Sequence, residues 1–581
     1  MLTPLMIAIL LSGLDDLVVN AIWATHWLNR KLHPKRVLFP PGARQLNSAP
    51  RRKIAILVPL WHEHAVIAEM LQHNLASIRY SDYHIFAGCY PNDDLTQEAV
   101  RSIALRFSSV HMAVCPHDGP TSKGDCLNWI YQSLLLYEED TKERFDLILT
   151  HDAEDMIHPD ELRWISYYAG RYDFIQTPVL PIATPIWKWT HGIYCDEFAE
   201  NHTVDMVVRA LSGGFVPSAG VGTGYSRDAM DELARSAANR IFEPDSLTED
   251  YENGLRLHRL GAKQAFVPIS SSGHGARDFV VTRELFPQTW STALRQRTRW
   301  VTGIALQGWQ RFGWTLRPTE FYWFWRDRKG LLGNPLSLLA NLTFLYGLAT
   351  SLWARFTPAQ SYLAAATLVI QLVRTVARMG CTGRVYGFWF SLGVPLRMAY
   401  GNVLNSAATA QAVGRYFAAR VKGQPLKWMK TEHSYPSRAA LLSHRRKIGE
   451  ILVASGYLTE PALQQAVSTC PAGTRIGEHL VATGRLSAED LYEALSLQHG
   501  LPRAQLDARR IPTRVVQSLP REVLREFKIL PFQVSEGALH LAAPEFPSSK
   551  LQAALRTFTA LELKFHLMPP TEFDRIFHTV L

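Results

Sequence analysis

The stretch between Asp327 and Glu432 contains no acidic residue yet carries twelve Lys and Arg. Within it, residues 330–354 and 356–373 have no charged side chain. Uncharged, mostly apolar runs of about 18 to 25 residues can cross a hydrocarbon core as helices. The short join at 355–360 predicts a membrane hairpin rather than two buried helices of a soluble domain. Arg374, Arg378 and Arg384 follow the second run, which the positive-inside rule places in the cytoplasm. Residues 385–420 interleave Arg397, Asn402, Asn405 and Arg415 with apolar and aromatic side chains, the pattern of an amphipathic helix at the interface. The apolar residues 2–28 precede Arg30, Lys31, Lys35 and Arg36. A secretory signal has its basic residues in front, so residues 1–30 are expected to form an uncleaved anchor. Asp15 and Asp16 in its middle are costly in lipid and should face a protein interior.

The remainder must hold several folding units, because 581 residues exceed one domain of roughly 150 several times over. Six cysteines without a C-x-x-C pair exclude a disulfide scaffold and the common zinc motifs. The net charge of +9 suits an anionic surface, and its concentration around the apolar runs favours membrane over nucleic acid.

Residues 50–330 alternate short β-branched or aromatic runs (53–60, 83–89, 110–114 and 145–150) with helical patterns at 63–78, 95–107 and 123–137. That order predicts a mainly parallel α/β sheet, whose ligands bind beyond the carboxyl ends of the strands. The polar residues at those ends therefore carry the chemistry. The last run ends in His151-Asp152-Ala153-Glu154-Asp155, hard oxygen ligands spaced to share a divalent cation. Asp93 sits in a Pro-Asn-Asp-Asp turn, and Lys123 opens a helix whose free amides suit a diphosphate. Thr248-Glu249-Asp250 and Gln296-x-x-Arg299-Trp300 follow. Taken singly, these read as a turn, a solvated lysine, a dipole-favoured acidic helix start and a basic helix face.

In this order, ahead of a membrane hairpin, the set resembles the family 2 inverting glycosyltransferases, and the phrases YPNDDLT, THDAEDMIHPDEL and SGLDD resemble the phage-adsorption protein B group. The resemblance implies a GT-A-like (Rossmann-like) α/β catalytic domain with transmembrane helices. It implies Asp93 on the nucleoside of a UDP-sugar, Lys123 on the diphosphate, and Asp152 with Glu154 on Mg2+ or Mn2+. Glu154 stands where an Asp is usual, so Asp155 is an alternative ligand. By the same resemblance Asp250, beside Glu249, is the catalytic base, and Gln296, Arg299 and Trp300 line the acceptor channel. The loop 218–224 is open between an acceptor-side role and a plain turn.

After a polar linker at 431–443 the chain repeats with a period of 28: Lys447-Ile448-Gly449 and Leu452 align with Arg475-Ile476-Gly477 and Leu480, and Leu463 with Leu491. Together with Leu495 and Gln498, residues 444–581 resemble the N-terminal domain of secretion and pilus ATPases of the MshE type, a small α+β module. The resemblance implies a cyclic di-GMP site on Arg446, Lys447, Ile448, Gly449, Leu452, Leu463, Arg475, Ile476, Gly477, Leu480, Leu491, Leu495 and Gln498. The first copy departs from the pattern at Lys447 and Cys470. No G-x-x-x-x-G-K-[ST] loop accompanies it, which excludes a secretion ATPase.

The expectation is a multi-pass inner-membrane enzyme with cytoplasmic catalytic (50–330) and C-terminal domains joined by residues 331–420. It would extend a surface exopolysaccharide from a UDP-sugar, an N-acetylated amino sugar being one candidate unit. Cyclic di-GMP would activate it, and a periplasmic or outer-membrane partner would export the product. The rival is a catalytically inactive membrane scaffold that recruits export or secretion partners.

Overall fold

The computed structural model describes residues 2–580 apart from 33–45, 47–48, 238, 272–277, 424–446, 455–456, 472, 500, 505, 536–537, 548 and 560. The linker 431–443 and Arg446 lie outside the described residues. The chain forms two compact units, Met1–Met70 with Ile78–Pro436, and Leu71–Ser77 with Ser437–Leu581.

The first unit is built on a seven-stranded sheet. Its strands are β1 (Ile54–Pro59), β2 (Tyr83–Cys89), β3 (Val110–Val114), β4 (Leu147–Thr150), β5 (Phe174–Gln176), β6 (Thr223–Ser226) and β7 (Gln264–Phe266), in spatial order β3-β2-β1-β4-β6-β5-β7. The first four run parallel, and β1 is buried along most of its length, as its unbroken Ile-Ala-Ile-Leu-Val run requires. The sheet is mainly parallel, as expected, and the exception is β6, which runs antiparallel to both β4 and β5. That strand, Thr-Gly-Tyr-Ser, is too short and glycine-marked to announce itself in the sequence.

The helices that matter for the site are α1 (Leu2–Leu32), α2 (Asp94–Ala104), α3 (Lys123–Thr141), α4 (Trp189–Glu200), α5 (Met206–Leu211), α6 (Glu249–Arg259), α7 (Trp290–Trp300), α8 (Pro318–Arg328), α9 (Gly330–Thr350), α10 (Pro358–Tyr386) and α11 (Val394–Val421). Among the described residues α1, α9 and α10 are the three helices long and apolar enough to cross a membrane. Thr357 caps α10 in a reciprocal capping box with Gln360, so the second leg begins inside the join expected at 355–360.

Asp15 and Asp16 do face protein. Asp15 accepts hydrogen bonds from Arg326, Lys329 and Tyr322, while Asp16 pairs with Lys329 and Arg374. α1, the start of α9 and α10 are thereby pinned together by charge. α11 is amphipathic, and its buried stripe of Arg397, Gly401, Leu404, Ala408 and Ala412 packs against α4, α7 and α9. The face read as interfacial is in part a seat for the catalytic body.

The second unit opens with two helix pairs, α12 (Ile448–Ala454) with α13 (Glu460–Thr469) and α14 (Ile476–Ala482) with α15 (Ala488–His499). A three-stranded sheet follows, β8 (Leu530–Ser535), β9 (Ala538–Ala543) and β10 (Glu562–Leu567). The repeat has a packing reason. A Cβ on Gly449 would meet Leu463 at 2.8 Å, and one on Gly477 would meet Leu491 at 2.6 Å. Each glycine lets its helix close on the leucine of the next helix. Leu452 and Leu480 are fully buried. Arg475 is 85% exposed at the N-cap of α14.

Candidate functional site

The β4 strand delivers Asp152 to the rim of the sheet, and a buried polar frame behind it fixes the turn. The Asp152 amide donates to Asp155 Oδ2 at 2.9 Å, which also faces His151 Nδ1 at 2.9 Å. His151 Nε2 lies 3.2 Å from Glu161, and Thr282 donates to the other Glu161 oxygen. Burial opposes charge on His151, but Asp155 and Glu161 together raise it to about 9. Asp155 is therefore spent on the frame, which leaves Asp152 and Glu154 as the carboxylates that this turn brings to the cavity wall.

Lys123 is the first residue of α3, where Ser122 caps the helix by accepting from the Asp125 amide. Its Nζ sits 2.6 and 2.8 Å from the two Asp152 oxygens. Burial alone would lower its pKa, but Asp152, Glu249 and Asp250 raise it well above the usual lysine value. Asp250 lies in the first turn of α6 and accepts from the Tyr251 amide at 2.7 Å. Burial pushes Asp250 above the ordinary carboxylate range, with Lys123 and Arg299 pulling the other way. Burial and the neighbouring Asp250 push Glu249 up as well.

Gly220 joins these groups. Its φ is +80°, and a Cβ there would meet Asp250 Oδ2 at 2.6 Å and Lys123 Nζ at 3.2 Å. The loop 218–224 is thus packed on both charged groups, not a plain turn. Gln176 at the end of β5 holds that loop, accepting from the Ala219 amide and the Thr223 hydroxyl and donating to the Val221 and Gly222 carbonyls. Sequence reading missed Gln176, although a polar residue at a strand end is the signal it used elsewhere.

Asp152, Glu154, Lys123, Glu249, Asp250, Gln296, Arg299 and Trp300 all line one cavity of about 540 Å3. Two π-helical turns border it, Asn201–Asp205 and Val301–Gln307, a rare conformation concentrated at functional sites. Several polar atoms on its wall are buried without a hydrogen-bond partner: Thr248 Oγ1, Gln296 Oε1 and Arg299 Nε. Trp300 packs near Phe198 and Phe286, at 6.1 and 6.4 Å between ring centroids.

Asp93 is not brought to this wall. It caps α2, accepting from the Thr96 amide, and its other oxygen accepts from the His62 amide at 2.6 Å. It fixes the segment that carries Trp61 into the cavity, whereas the expectation had it on the ligand.

No group of three or more His, Cys, Asp or Glu stands ready to hold a metal alone among the described residues. Two carboxylates facing one cavity nonetheless fit a hard divalent cation that takes its remaining oxygens from a diphosphate and water.

Residues 50–303 match the family described as glycosyltransferase like family 2, and residues 499–580 match the MshEN domain. The chain is 35% identical over 563 residues to the bacteriophage adsorption protein B of Escherichia coli strain K12, covering 92% of this chain and 75% of that one. The chain belongs to the bacteriophage adsorption protein B family. It is a membrane glycosyltransferase with a GT-A-like catalytic fold and a C-terminal MshEN domain. Among solved structures it is similar to the mannosyltransferase PcManGT from Pyrobaculum calidifontis in complex with GDP-Man and Mn2+, at 14% identity and TM-score 0.44, covering 71% of this chain and 99% of that one. The structure of MshE with cdg aligns at 26% identity and TM-score 0.21, covering 23% of this chain and 99% of that chain.

Proposed function

We propose that this family member is an inner-membrane, inverting glycosyltransferase that extends a surface exopolysaccharide from a UDP-sugar, with its catalytic and C-terminal domains cytoplasmic. The observation that carries the reading is the single cavity shared by Asp152, Lys123, Asp250 and Arg299. Lys123 and Arg299 bind the diphosphate. Asp152 and Glu154 would hold Mg2+ or Mn2+, which when bound supplies charge stabilisation for the departing nucleotide. Asp250 takes the proton from the acceptor hydroxyl as it attacks the anomeric carbon from the face opposite the leaving group. Trp300 offers an apolar face for a sugar ring. The name of the Escherichia coli relative, which points to phage adsorption, supports a product exposed at the cell surface. Export of that product through the envelope then calls for a separate partner.

The MshEN domain and the exposed Arg475 support activation by cyclic di-GMP, with Arg475 pairing to a phosphate or guanine. Membranes containing the full chain, incubated with a panel of UDP-sugars, should release UDP from one donor and release more with cyclic di-GMP. Arg475→Ala should keep the basal rate and lose the stimulation. Absence of UDP release from every donor would remove the enzymatic reading in favour of the scaffold. Undiminished stimulation of the Arg475 variant would remove that residue from the regulatory site.

A further inference from the structure

The π turn Asn201–Asp205 places a histidine on the cavity wall in one fixed hydrogen-bonding state. His202 is the second residue of that turn, is 4% exposed, and lines the cavity beside Val179, Phe198 and Met206. Its ring is stacked on Phe198, with 5.3 Å between centroids and 6° between planes, and Phe266 of β7 lies at 5.8 Å. On one edge, Nδ1 accepts from the Val179 amide at 3.1 Å. Val179 opens a short strand paired with Thr282–Glu284, which holds that amide in place.

A neutral imidazole that accepts at Nδ1 carries its hydrogen on Nε2. The ring stays neutral, because burial pushes its pKa down to about 3. Among the described residues nothing accepts from Nε2. Unlike Thr248 Oγ1 and Gln296 Oε1, this atom is not sealed into the wall, so it opens on the cavity. A donor left unmade in so buried a residue is costly, and such groups persist where something else satisfies them.

The surroundings of the ring indicate what does so. Gly220 lies against Asp250 and Lys123, whereas its neighbours Ala219 and Val221 pack with Val179, Phe198, Phe286 and Trp300. That loop therefore stands between the diphosphate-binding groups and the wall that carries His202. An uncharged N–H beside aromatic faces suits a neutral oxygen on a sugar ring laid across them, one precisely placed polar group in an apolar setting.

We infer that His202 is a specificity-determining residue of the acceptor site, donating its Nε2 hydrogen to one hydroxyl of the sugar unit that is extended. The inference rests on the glycosyltransfer reading and assigns an acceptor contact within it. Val179 fixes the direction of the hydrogen, so an acceptor lacking that hydroxyl leaves a buried donor unmet and is rejected.

The test uses the purified full chain in nanodiscs, with the donor that it turns over and a neutral oligosaccharide that it extends. His202→Asn keeps an oxygen for the Val179 amide and withdraws the Nε2 donor, while His202→Gln extends an amide donor to that place. The expected result for His202→Asn is a rise of roughly tenfold in the KM for the oligosaccharide. Its affinity for UDP with Mn2+, titrated directly, and its unfolding midpoint should stay near wild type, and His202→Gln should recover most of the loss. Acceptors deoxygenated at one position at a time on the terminal unit give the decisive signature. Wild type should discriminate against one of them by roughly tenfold or more, and His202→Asn should lose that discrimination. An unmoved acceptor KM, a rise in the KM of the UDP-sugar alone, or discrimination that persists in His202→Asn would overturn the inference. A wild type indifferent to every deoxygenation would overturn it without any variant. Absence of UDP release by wild type from every donor would instead remove the transferase reading on which the inference stands.

Discussion

Asp250→Asn will lower sugar transfer by roughly 100- to 10,000-fold, the usual worth of a positioned base, while binding of the nucleotide sugar changes little. The substitution keeps the shape of the side chain and removes only its capacity to take a proton. Asp250 is fixed by the Tyr251 amide and sits against Gly220, so the variant has no new space to fill. Because burial raises the pKa of Asp250, the base becomes protonated at a higher pH than an exposed aspartate would. The wild-type rate should therefore fall on acidification earlier than the ordinary aspartate range predicts, and the residual rate of the variant should lose that limb. Steady-state UDP release across pH checks both parts. A variant that turns over at the wild-type rate would remove Asp250 as the base.

Arg397→Ala will destabilise the first unit by about 3–5 kcal/mol, the cost of leaving a buried charge without its partner. Arg397 is 1% exposed, forms two hydrogen bonds to Asp196 at 2.7 and 2.8 Å, and donates to the Phe390 carbonyl. Its guanidinium stem fills the space beside Gly192 and Gly393, where any Cβ would strike it. The pair joins α11 to α4, the helix that supplies Glu197, Phe198 and Glu200 to the cavity. Loss should appear as a lowered unfolding midpoint in detergent together with reduced transfer. The double variant Asp196→Leu with Arg397→Met should recover most of the stability, because a filled apolar site replaces an ion pair at little cost. Equal melting of the single variant and wild type would show that the pair contributes nothing.

The strands β2 and β3 were legible to the residue, because each is a short run of mostly apolar or aromatic residues closed by a nearby proline, Pro91 or Pro116. The membrane helices were legible for the same kind of reason, since lipid tolerates few charges. The motif residues Asp152, Glu154, Lys123, Asp250, Gln296, Arg299 and Trp300 line one cavity, Asp152 after a strand, Lys123 and Asp250 at helix starts and the last three in the final turns of α7.

What was not legible depends on tertiary geometry. Asp93 stands at a strand end like the others, yet its oxygens turn inward to the His62 and Thr96 amides, a choice that local spacing does not encode. Asp155 and Asp152 are two acids of one turn, and only the buried His151 and Glu161 decide which one faces the cavity. Gly449 and Gly477 are held close to Leu463 and Leu491, a packing reason for the repeated glycine that the spacing alone does not reveal. Glu197 and Glu200 of α4 and Asp327 of α8 carry no motif, and their pairing with Arg297, Arg378 and Arg209 appears only in the fold.

The central claim is that Asp152 and Asp250 serve one cleft in different roles, one holding the pyrophosphate through a cation and the other acting on the acceptor. Titration of UDP in the presence of Mn2+ into the purified wild type, Asp152→Asn and Asp250→Asn tests this most directly. The account predicts at least tenfold weaker UDP binding for Asp152→Asn and near wild-type binding for Asp250→Asn. Wild-type affinity in Asp152→Asn, or a loss confined to Asp250→Asn, would contradict it.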